Sequence, residues 1–186
     1  MPYEVELKFP LDDTERISAQ LDGLQAERGT PMEQVDRYFN HPSRDFAQTD
    51  EALRIRTMND RSLLTYKGPL LDTETKTRLE IELPLGVDAA DAPRLAELLR
   101  NLGFHEVRSV HKTRTPFRIR WEERQLELAL DDVTDLGLFF EIETFAEEPD
   151  LDAARESILR FAQKLGLKNS QRKSYLQLLM KQDHAG

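Results

Sequence analysis

The chain has 186 residues, a net charge of −9 at pH 7 and no cysteine. A chain of this length is expected to form one domain with a buried core, and the absence of cysteine excludes disulfides, thiol nucleophiles and thiolate-bound zinc. The acidic balance disfavours broad nucleic-acid binding, because a phosphate backbone is held by an excess of lysine and arginine.

The sequence contains no apolar run close to the ~20 residues needed to cross a bilayer, and its start does not resemble a signal peptide. We therefore expect a cytoplasmic protein whose partners include neither a membrane nor a nucleic acid. We also expect a single domain over residues 1–181, followed by a disordered tail at 182–186.

The first strand-like segment alternates strictly between charged and apolar residues. Glu4, Glu6 and Lys8 are separated by Val5 and Leu7. Successive side chains of a strand point to opposite faces, so the charged residues are predicted to share one face and the apolar residues the other. Two carboxylates beside an ammonium group indicate a divalent cation and an anion held side by side.

Four segments carry apolar residues at helical spacing. They are Asp13–Leu24, Pro93–Leu102, Leu151–Leu165 and Ser170–Met180. Gly103 and Gly166 follow two of them, as expected for residues that end a helix. Each amphipathic helix needs an apolar surface to cover.

Nine further segments alternate as short strands and are separated by turn residues. They are Tyr3–Phe9, Glu33–Phe39, Ala52–Thr57, Ser62–Lys67, Thr77–Leu83, Glu106–Thr113, Pro116–Trp121, Gln125–Leu130 and Leu138–Phe145. Eight or nine short strands in hairpin order predict an antiparallel barrel or sandwich.

The polar faces of these strands carry charges of both signs at a spacing of two. Their members are Glu4, Glu6, Lys8, Arg54, Arg56, Lys67, Arg78, Glu80, Glu82, Lys112, Arg114, Arg118, Arg120, Glu127, Asp131, Glu141 and Glu143. An ordinary small barrel turns its apolar faces inward. Because the helices need apolar surface on the outside, we predict the inverse arrangement, with the charged faces pointing into a central cavity.

Such a cavity suits a polyphosphate together with its metal ion. Arginine binds phosphate oxygens at two points and lysine acts as a point charge, whereas paired glutamates suit a hard cation such as Mg²⁺ or Mn²⁺. Solvated sheet faces with cross-strand salt bridges are the alternative explanation of the same pattern. The recurrence of Glu-x-Glu and Arg-x-Arg pairs favours the shared cavity.

These charged segments carry a family resemblance. The segment Glu4-Val5-Glu6-Leu7-Lys8 resembles the N-terminal Glu-x-Glu-x-Lys signature of the CYTH superfamily, the triphosphate tunnel metalloenzymes. Further motifs are similar, in the same order, over nearly the whole chain, at 36–39, 44–47, 50–56, 64–69, 75–82, 112–114, 130–133, 136–137, 140–143 and 174–175. Leu7 and the motifs at 50–56 and 65–69 look like those of the class IV adenylyl cyclases within that superfamily.

The resemblance implies an α+β fold, an eight-stranded antiparallel β-barrel that forms a tunnel with a charged lumen, flanked by about four helices. It implies that Mg²⁺ or Mn²⁺ is held by Glu4, Glu6, Glu80, Glu82, Asp131, Glu141 and Glu143. It implies that the phosphates are bound by Lys8, Arg54, Arg56, Lys67, Arg78, Lys112, Arg114 and Lys173, the last from the C-terminal helix. The residues expected to take part directly in catalysis are Glu4, Glu6, Lys8, Lys67 and Lys112.

The function that the resemblance implies is that of a metal-dependent triphosphate-processing enzyme, foremost an adenylyl cyclase that converts ATP to cyclic AMP and pyrophosphate. A triphosphatase acting on tripolyphosphate, thiamine triphosphate or a nucleoside triphosphate is the alternative, and a non-catalytic polyphosphate or nucleotide sensor is a further one. The resemblance is also compatible with a homodimer. Five aromatic residues are candidates for stacking on a base, namely Tyr38, Phe39, Phe46, Tyr66 and Trp121.

Overall fold

Strands are the commonest secondary structure in the computed structural model, which describes residues 3–59, 61–86, 88 and 90–183. The strands are β1 (Tyr3–Leu11), β2 (Glu27–Arg28), β3 (Met32–Asn40), β4 (Ala52–Met58), β5 (Arg61–Lys67), β6 (Lys76–Pro84), β7 (His105–Trp121), β8 (Arg124–Val133) and β9 (Gly137–Ala146). The helices are α1 (Glu15–Gly23), α2 (Phe46–Thr49), α3 (Asp91–Asn101), α4 (Leu151–Lys164) and α5 (Tyr175–Asp183), with a 3₁₀ turn at Glu148–Asp150.

Eight of these strands close into an antiparallel barrel in the order β7-β3-β4-β5-β6-β1-β9-β8, and β8 pairs back with β7. The closure depends on β7, which pairs with β3 up to Arg114 and with β8 from Lys112 onward. The prediction of two separate strands here, Glu106–Thr113 and Pro116–Trp121, is therefore wrong. Pro116 predicts a break, yet it lies just past the β3 ladder, where β7 exchanges one neighbour for the other.

The barrel has the predicted inverse arrangement. On β1, Val5 and Leu7 are buried in the core cluster that also contains Ile17 of α1 and Phe161 of α4. The intervening Glu6 is buried as well, on the opposite face, where it lines the lumen. The strand is thus buried on both faces, with its aliphatic side under the helices and its charged side inside the barrel.

The other helices cover separate parts of the barrel. Ala96 and Leu99 of α3 pack against Ile55 of β4. At one opening of the lumen, Leu179 of α5 packs in a cluster with Phe139 of β9. No helix of the described residues is long and apolar enough to span a bilayer.

The predicted glycines after α3 and α4 are confirmed, whereas α1 begins at Glu15, two residues later than predicted, with Thr14 at its N-cap. The carboxylate of Asp13 accepts the backbone N–H of Glu15 at 3.0 Å, which satisfies one free donor at the start of α1. Gly103 and Gly166 follow α3 and α4 with φ angles of +89° and +68°. Two elements, α2 and β2, were not predicted, because four and two residues are too short to show a period.

The last helix differs from its predicted bounds. It begins at Tyr175, so Lys173 lies before the helix and not within it as predicted. Ser174 and Gln177 form a reciprocal cap, in which each backbone N–H donates to the other side chain, at 2.8 and 3.1 Å. The predicted tail began too early, because Gln182 and Asp183 belong to α5, and residues 184–186 lie outside the described residues.

Candidate functional site: the charged lumen

The lumen is a cavity of about 890 Å³ that opens beside α5. The charged residues of the strands that line it are Glu4, Glu6, Lys8, Arg54, Arg56, Lys67, Lys76, Arg78, Glu80, Glu82, Lys112, Arg114, Glu127, Glu141 and Glu143. Within each strand they lie two positions apart, and the antiparallel pairing sets them side by side. A buried charge is costly unless it is paired, so the pairs determine what the lumen can bind.

Asp36 of β3 holds the two arginines of β4. It lies opposite Arg56 in the β3–β4 ladder, and its carboxylate accepts from Nε and Nη2 of that arginine at 2.6 and 2.7 Å. It also accepts from Nη1 of Arg54 at 3.1 Å. Burial alone would raise the pKa of Asp36, but the two guanidinium groups hold it far below its ordinary value. An ionised Asp36 therefore fixes the orientation of both arginines.

Asp131 of β8 holds the two cations of β7 in the same way. Its carboxylate accepts from Nζ of Lys112 at 2.9 Å, from Nε of Arg114 at 2.7 Å and from the hydroxyl of Tyr175 at 2.9 Å. Burial raises the pKa of Asp131, but Arg114 and Lys112 lower it below the ordinary value. With four hydrogen bonds from three side chains on its two oxygens, Asp131 is better suited to hold cations than to serve as the predicted metal ligand.

Two lysines connect neighbouring strands to the glutamates of β1. Nζ of Lys67 lies 2.5 Å from Oε1 of Glu4 and 3.2 Å from a carboxylate oxygen of Glu80. Burial lowers the pKa of Lys67, but these two carboxylates raise it above its ordinary value. Nζ of Lys76 lies 2.7 Å from Oε1 of Glu6.

Three carboxylates converge without enough cations to balance them. One oxygen each of Glu4, Glu80 and Glu143 lies within 4.8 Å of the other two. Burial and the charge of Glu4 raise the pKa of Glu143 well above its ordinary value, and Glu143 forms no salt bridge with any described residue. Mg²⁺ and Mn²⁺ prefer carboxylate oxygens, so the number, type and spacing of these side chains fit a divalent cation.

The remaining glutamates predicted as metal ligands have other partners. Glu6 binds Lys76, and Glu141 accepts from Arg114. Glu82 accepts from the hydroxyl of Thr65 at 3.2 Å. The structure thus places these carboxylates in the lumen as predicted, but it gathers the metal-sized cluster around Glu4, Glu80 and Glu143.

Two buried lysines, Lys8 and Lys112, have pKa values below the ordinary value for lysine. Burial is the largest cause that lowers the pKa of Lys8, and the pKa lies well below its ordinary value. Burial, with help from the charge of Arg114, lowers the pKa of Lys112 to about 8. An anion in the lumen favours the charged form of both side chains.

The segment 171–174 crosses the opening of the lumen beside α5. The backbone N–H of Gln171 donates to the carbonyl of Lys8 at 2.6 Å. The guanidinium of Arg172 donates to the carbonyls of Asp72 and Thr73 in the β5–β6 loop. Lys173 is exposed and lines the cavity, where a lysine is accessible to an entering anion.

The remaining predicted arginines, Arg78, Arg118 and Arg120, differ in burial, and Arg118 lines a second cavity. Arg78 lies in the lumen, with Nε 3.7 Å from Glu4 and Nη1 3.3 Å from the carbonyl of Asp50. Arg118 and Arg120 of β7 are exposed. The alternation alone left their direction open.

A second cavity, of about 610 Å³, lies toward the other end of the barrel. Leu63, Arg114, Glu127, Glu141 and Glu143 line both cavities. The two cavities therefore adjoin each other, and carboxylates predominate among the charged residues that line both.

The five aromatic candidates are also divided. Tyr38, Phe39 and Phe46 line the lumen cavity. Trp121 instead packs edge-on against Phe161 of α4 with ring centroids 5.2 Å apart, on the outer face of the barrel. The fifth candidate is Tyr66, whose hydroxyl donates to Glu51 near the opening.

Three residues of the site were missed by sequence reasoning. Lys76 belongs to the Lys76, Arg78, Glu80 alternation, but the predicted strand starts one residue too late. Asp36 stands two residues from Tyr38 on the face that the β3 pattern turns toward the lumen, which is the signal that identifies it. Tyr175 carries no such signal, because only the docking of α5 brings it to the lumen.

Comparisons with known proteins agree with this geometry. A family model of the CYTH domain matches residues 2–175. A Methanocaldococcus jannaschii protein, named provisionally as an adenylate cyclase, is 36% identical over 178 residues, which cover 94% of this chain and 97% of that protein. Adenylate cyclase CyaB of Aeromonas hydrophila is 28% identical over 173 residues, which cover 91% of this chain and 83% of that protein.

A solved structure shows the same fold. A Pyrococcus horikoshii protein superposes with a TM-score of 0.83 at 39% identity, and the match covers 96% of this chain and 99% of that one. Together with the charged eight-stranded barrel, these matches establish that the chain belongs to the CYTH domain family.

Proposed function

We propose that this protein is a metal-dependent enzyme that processes a triphosphate in its lumen, and that its reaction is the conversion of ATP to cyclic AMP and pyrophosphate. The observation that carries the proposal is the buried lumen, in which strand cations adjoin the carboxylate cluster of Glu4, Glu80 and Glu143. A triphosphate with its divalent cation satisfies both sets of charges. The names of the relatives support the cyclase reaction over other reactions of a triphosphate.

The phosphate oxygens would be bound by cations from β4 and β7, the two strands that flank β3. Arg54 and Arg56 are oriented by Asp36, so their guanidinium groups are positioned before the ligand arrives. Lys112 and Arg114 are oriented by Asp131 in the same way. Preorganised charges of this kind stabilise the negative charge that develops on the leaving group without reorganising during the reaction.

The divalent cation would be held by Glu4, Glu80 and Glu143. When bound, such an ion neutralises phosphate charge and acts as a Lewis acid toward phosphoryl oxygens. The chain's own residues would hold the triphosphate in a position from which the ribose 3′-hydroxyl attacks the α-phosphorus and pyrophosphate leaves.

Hydrolysis of the triphosphate is a second candidate, and the second cavity favours it. Glu143 lines both cavities, so the second cavity would supply the attacking water to the carboxylate cluster from the side away from α5. The same site would then direct water, instead of a ribose hydroxyl, toward a phosphorus atom.

Product analysis separates these reactions. The protein is incubated with ATP, tripolyphosphate or thiamine triphosphate in the presence of Mg²⁺ or Mn²⁺, and the products are resolved by anion exchange and mass spectrometry. Cyclic AMP with pyrophosphate supports the cyclase, and inorganic phosphate with the diphosphate supports the triphosphatase. Triphosphate binding without any product contradicts both and leaves a sensor.

A further inference from the structure

Lys8 is held differently from the other strand cations of the lumen. Among the described residues, each of Arg54, Arg56, Lys67, Lys76, Arg78, Lys112 and Arg114 lies within 4.0 Å of a carboxylate oxygen. Lys8 has no carboxylate oxygen of a described residue within that distance, although it is only 2% exposed; the charges of Glu6 and Glu141 act on it from further away. A buried ammonium group without a carboxylate needs another source of stabilisation.

An aromatic ring takes the place of the carboxylate. Nζ of Lys8 lies 4.0 Å from the ring centroid of Tyr175, and Nζ of Lys112 lies 5.1 Å from the same centroid. Both distances are within the range over which the negative face of an aromatic ring attracts a cation. The ring is thus shared by two ammonium groups that would otherwise repel each other.

The position of the ring is fixed from three sides. The hydroxyl of Tyr175 donates to Asp131 at 2.9 Å. The ring of Tyr175 packs against the ring of Phe139 in a T-shaped arrangement with centroids 5.0 Å apart. On the chain side, the backbone bond from Gln171 to the carbonyl of Lys8 ties the preceding segment to β1. The ring therefore has little freedom to move away from Lys8.

We propose that Tyr175 is a positioning residue for triphosphate binding, which orients Lys8 through the face of its ring and leaves the lysine charge free for phosphate. A carboxylate at this place would cancel the charge and occupy the N–H donors, whereas a ring attracts the ammonium group without carrying a net charge. Among the described strand cations of the lumen, Lys8 is then the one whose N–H donors are not already taken by a carboxylate within 4.0 Å. This inference depends on the proposed function, because it assumes that a triphosphate enters the lumen.

The test compares variants of Tyr175 with a matched variant of the same helix. Tyr175→Phe keeps the ring and removes the hydroxyl bond to Asp131, and Tyr175→Leu removes the ring. Leu179→Ala weakens the packing of α5 in the same cluster without touching Lys8. Binding of tripolyphosphate is measured by calorimetry in EDTA, so that no metal contributes, and KM and kcat are measured with ATP and Mn²⁺.

We expect Tyr175→Phe and Leu179→Ala to bind within about threefold of the wild type. We expect Tyr175→Leu to bind about tenfold more weakly, since a desolvated cation–π contact is of that strength. Its KM should rise by a similar factor while kcat changes less, because the ring acts on binding.

A graded series covers the case in which Tyr175→Leu does not fold. Phenylalanine with increasing fluorination at position 175 keeps the shape of the ring while its negative face weakens, and the affinity should fall stepwise with fluorine content. Equal affinity across the series, or an equal loss in Leu179→Ala, would overturn the role of the ring. A wild-type protein that binds no triphosphate would instead contradict the proposed function itself.

Discussion

At the scale of single residues, two buried aspartates do most to shape the lumen. Asp36 and Asp131 each bind a pair of cations on an adjacent strand. Each phosphate-binding side chain is thus fixed by its strand at the Cα and by an aspartate at its charged group. Neither aspartate needs to contact the ligand for this purpose. Their contribution is to keep long, flexible side chains in one orientation.

We predict that Asp36→Asn lowers the free energy of unfolding by about 3–5 kcal/mol, because it leaves two buried guanidinium groups without a counter-charge. Urea denaturation measures this loss. The matched control is Glu106→Gln, which breaks an outer pair with Arg37 at 2.7 Å and should cost less than about 1 kcal/mol. If the two substitutions lowered the free energy of unfolding equally, the buried pair would contribute no more to stability than the outer pair.

We predict that Lys112 makes the stability of the free protein rise with pH and the affinity for a phosphate anion fall with pH. Its folded pKa of about 8 lies below that of an unfolded lysine, about 10.4, so the unfolded state binds more protons in this window and the stability contributed by Lys112 rises with pH. A bound phosphate needs the charged lysine, so anion affinity falls over the same window. The charged and titratable groups around Lys112 are Asp36, Arg56, Arg114, Asp131, Glu141 and Tyr175.

The measurement is the Kd of ATP in EDTA from pH 8 upward, where a terminal phosphate with a pKa of about 6 is already ionised. We expect Kd to rise by up to about tenfold per pH unit in the wild type. Lys112→Arg stays charged, so its Kd should rise less steeply over the same range. Parallel curves for the two proteins would assign the pH dependence to another group.

At the scale of single elements, the ends of strands and helices position the site. β7 is long enough to pair with β3 and then with β8, which closes the barrel and brings Lys112 and Arg114 to the lumen. After α4 the chain turns and runs back toward the opening, where the segment 171–174 and α5 lie. This turn depends on Gly166, whose φ of +68° is unfavourable for other residues.

Two glycines should therefore respond in opposite directions to the same substitution. Gly166→Ala places a Cβ at positive φ and should cost about 1–2 kcal/mol of stability. Gly23 lies within α1 and has no atom within 4 Å of the position that a Cβ would occupy, so Gly23→Ala should stabilise by up to about 1 kcal/mol. Urea midpoints of the two variants test this, and a stabilising Gly166→Ala would contradict the backbone argument.

At the scale of the whole molecule, the charges of the lumen lower the stability of the free protein and allow the lumen to bind a charged ligand. The protein carries a net charge of −9, yet it collects cations and carboxylates in one interior. Buried like charges are unfavourable until a ligand of opposite charge arrives. A metal ion that binds the folded state and not the unfolded state raises the stability through this linkage.

We therefore predict that Glu143→Gln raises the Tm of the metal-free protein and reduces the further rise that Mn²⁺ produces. The reason is that a neutral amide relieves the repulsion from Glu4 and Glu80 but removes one charged ligand. Thermal melts with and without Mn²⁺ measure both effects, and Glu122→Gln, far out on the surface beside Arg160, serves as the control. A wild-type Mn²⁺ shift that survives unchanged in Glu143→Gln would place the metal elsewhere.

Much of this architecture can be read from the alternation of residue types. The pattern at Glu4, Glu6 and Lys8 predicts both faces of β1, and the amphipathic helices predict which face turns outward. Asp131 shows the limit of the same reasoning, since its position on the polar face is evident but its three donors come from β7 and α5. Alternation assigns a face, and it does not assign neighbours.

The local pattern alone determined most of the strands and helices and which side chains share a face, because a period of two or 3.6 follows directly from backbone geometry. The tertiary structure decided which charge meets which. It paired Asp36 with Arg56, gathered Glu143 with Glu4 and Glu80, and brought the ring of Tyr175 to Lys8. These contacts join residues far apart in the chain, and their strength depends on distance and burial, neither of which is encoded in any single segment.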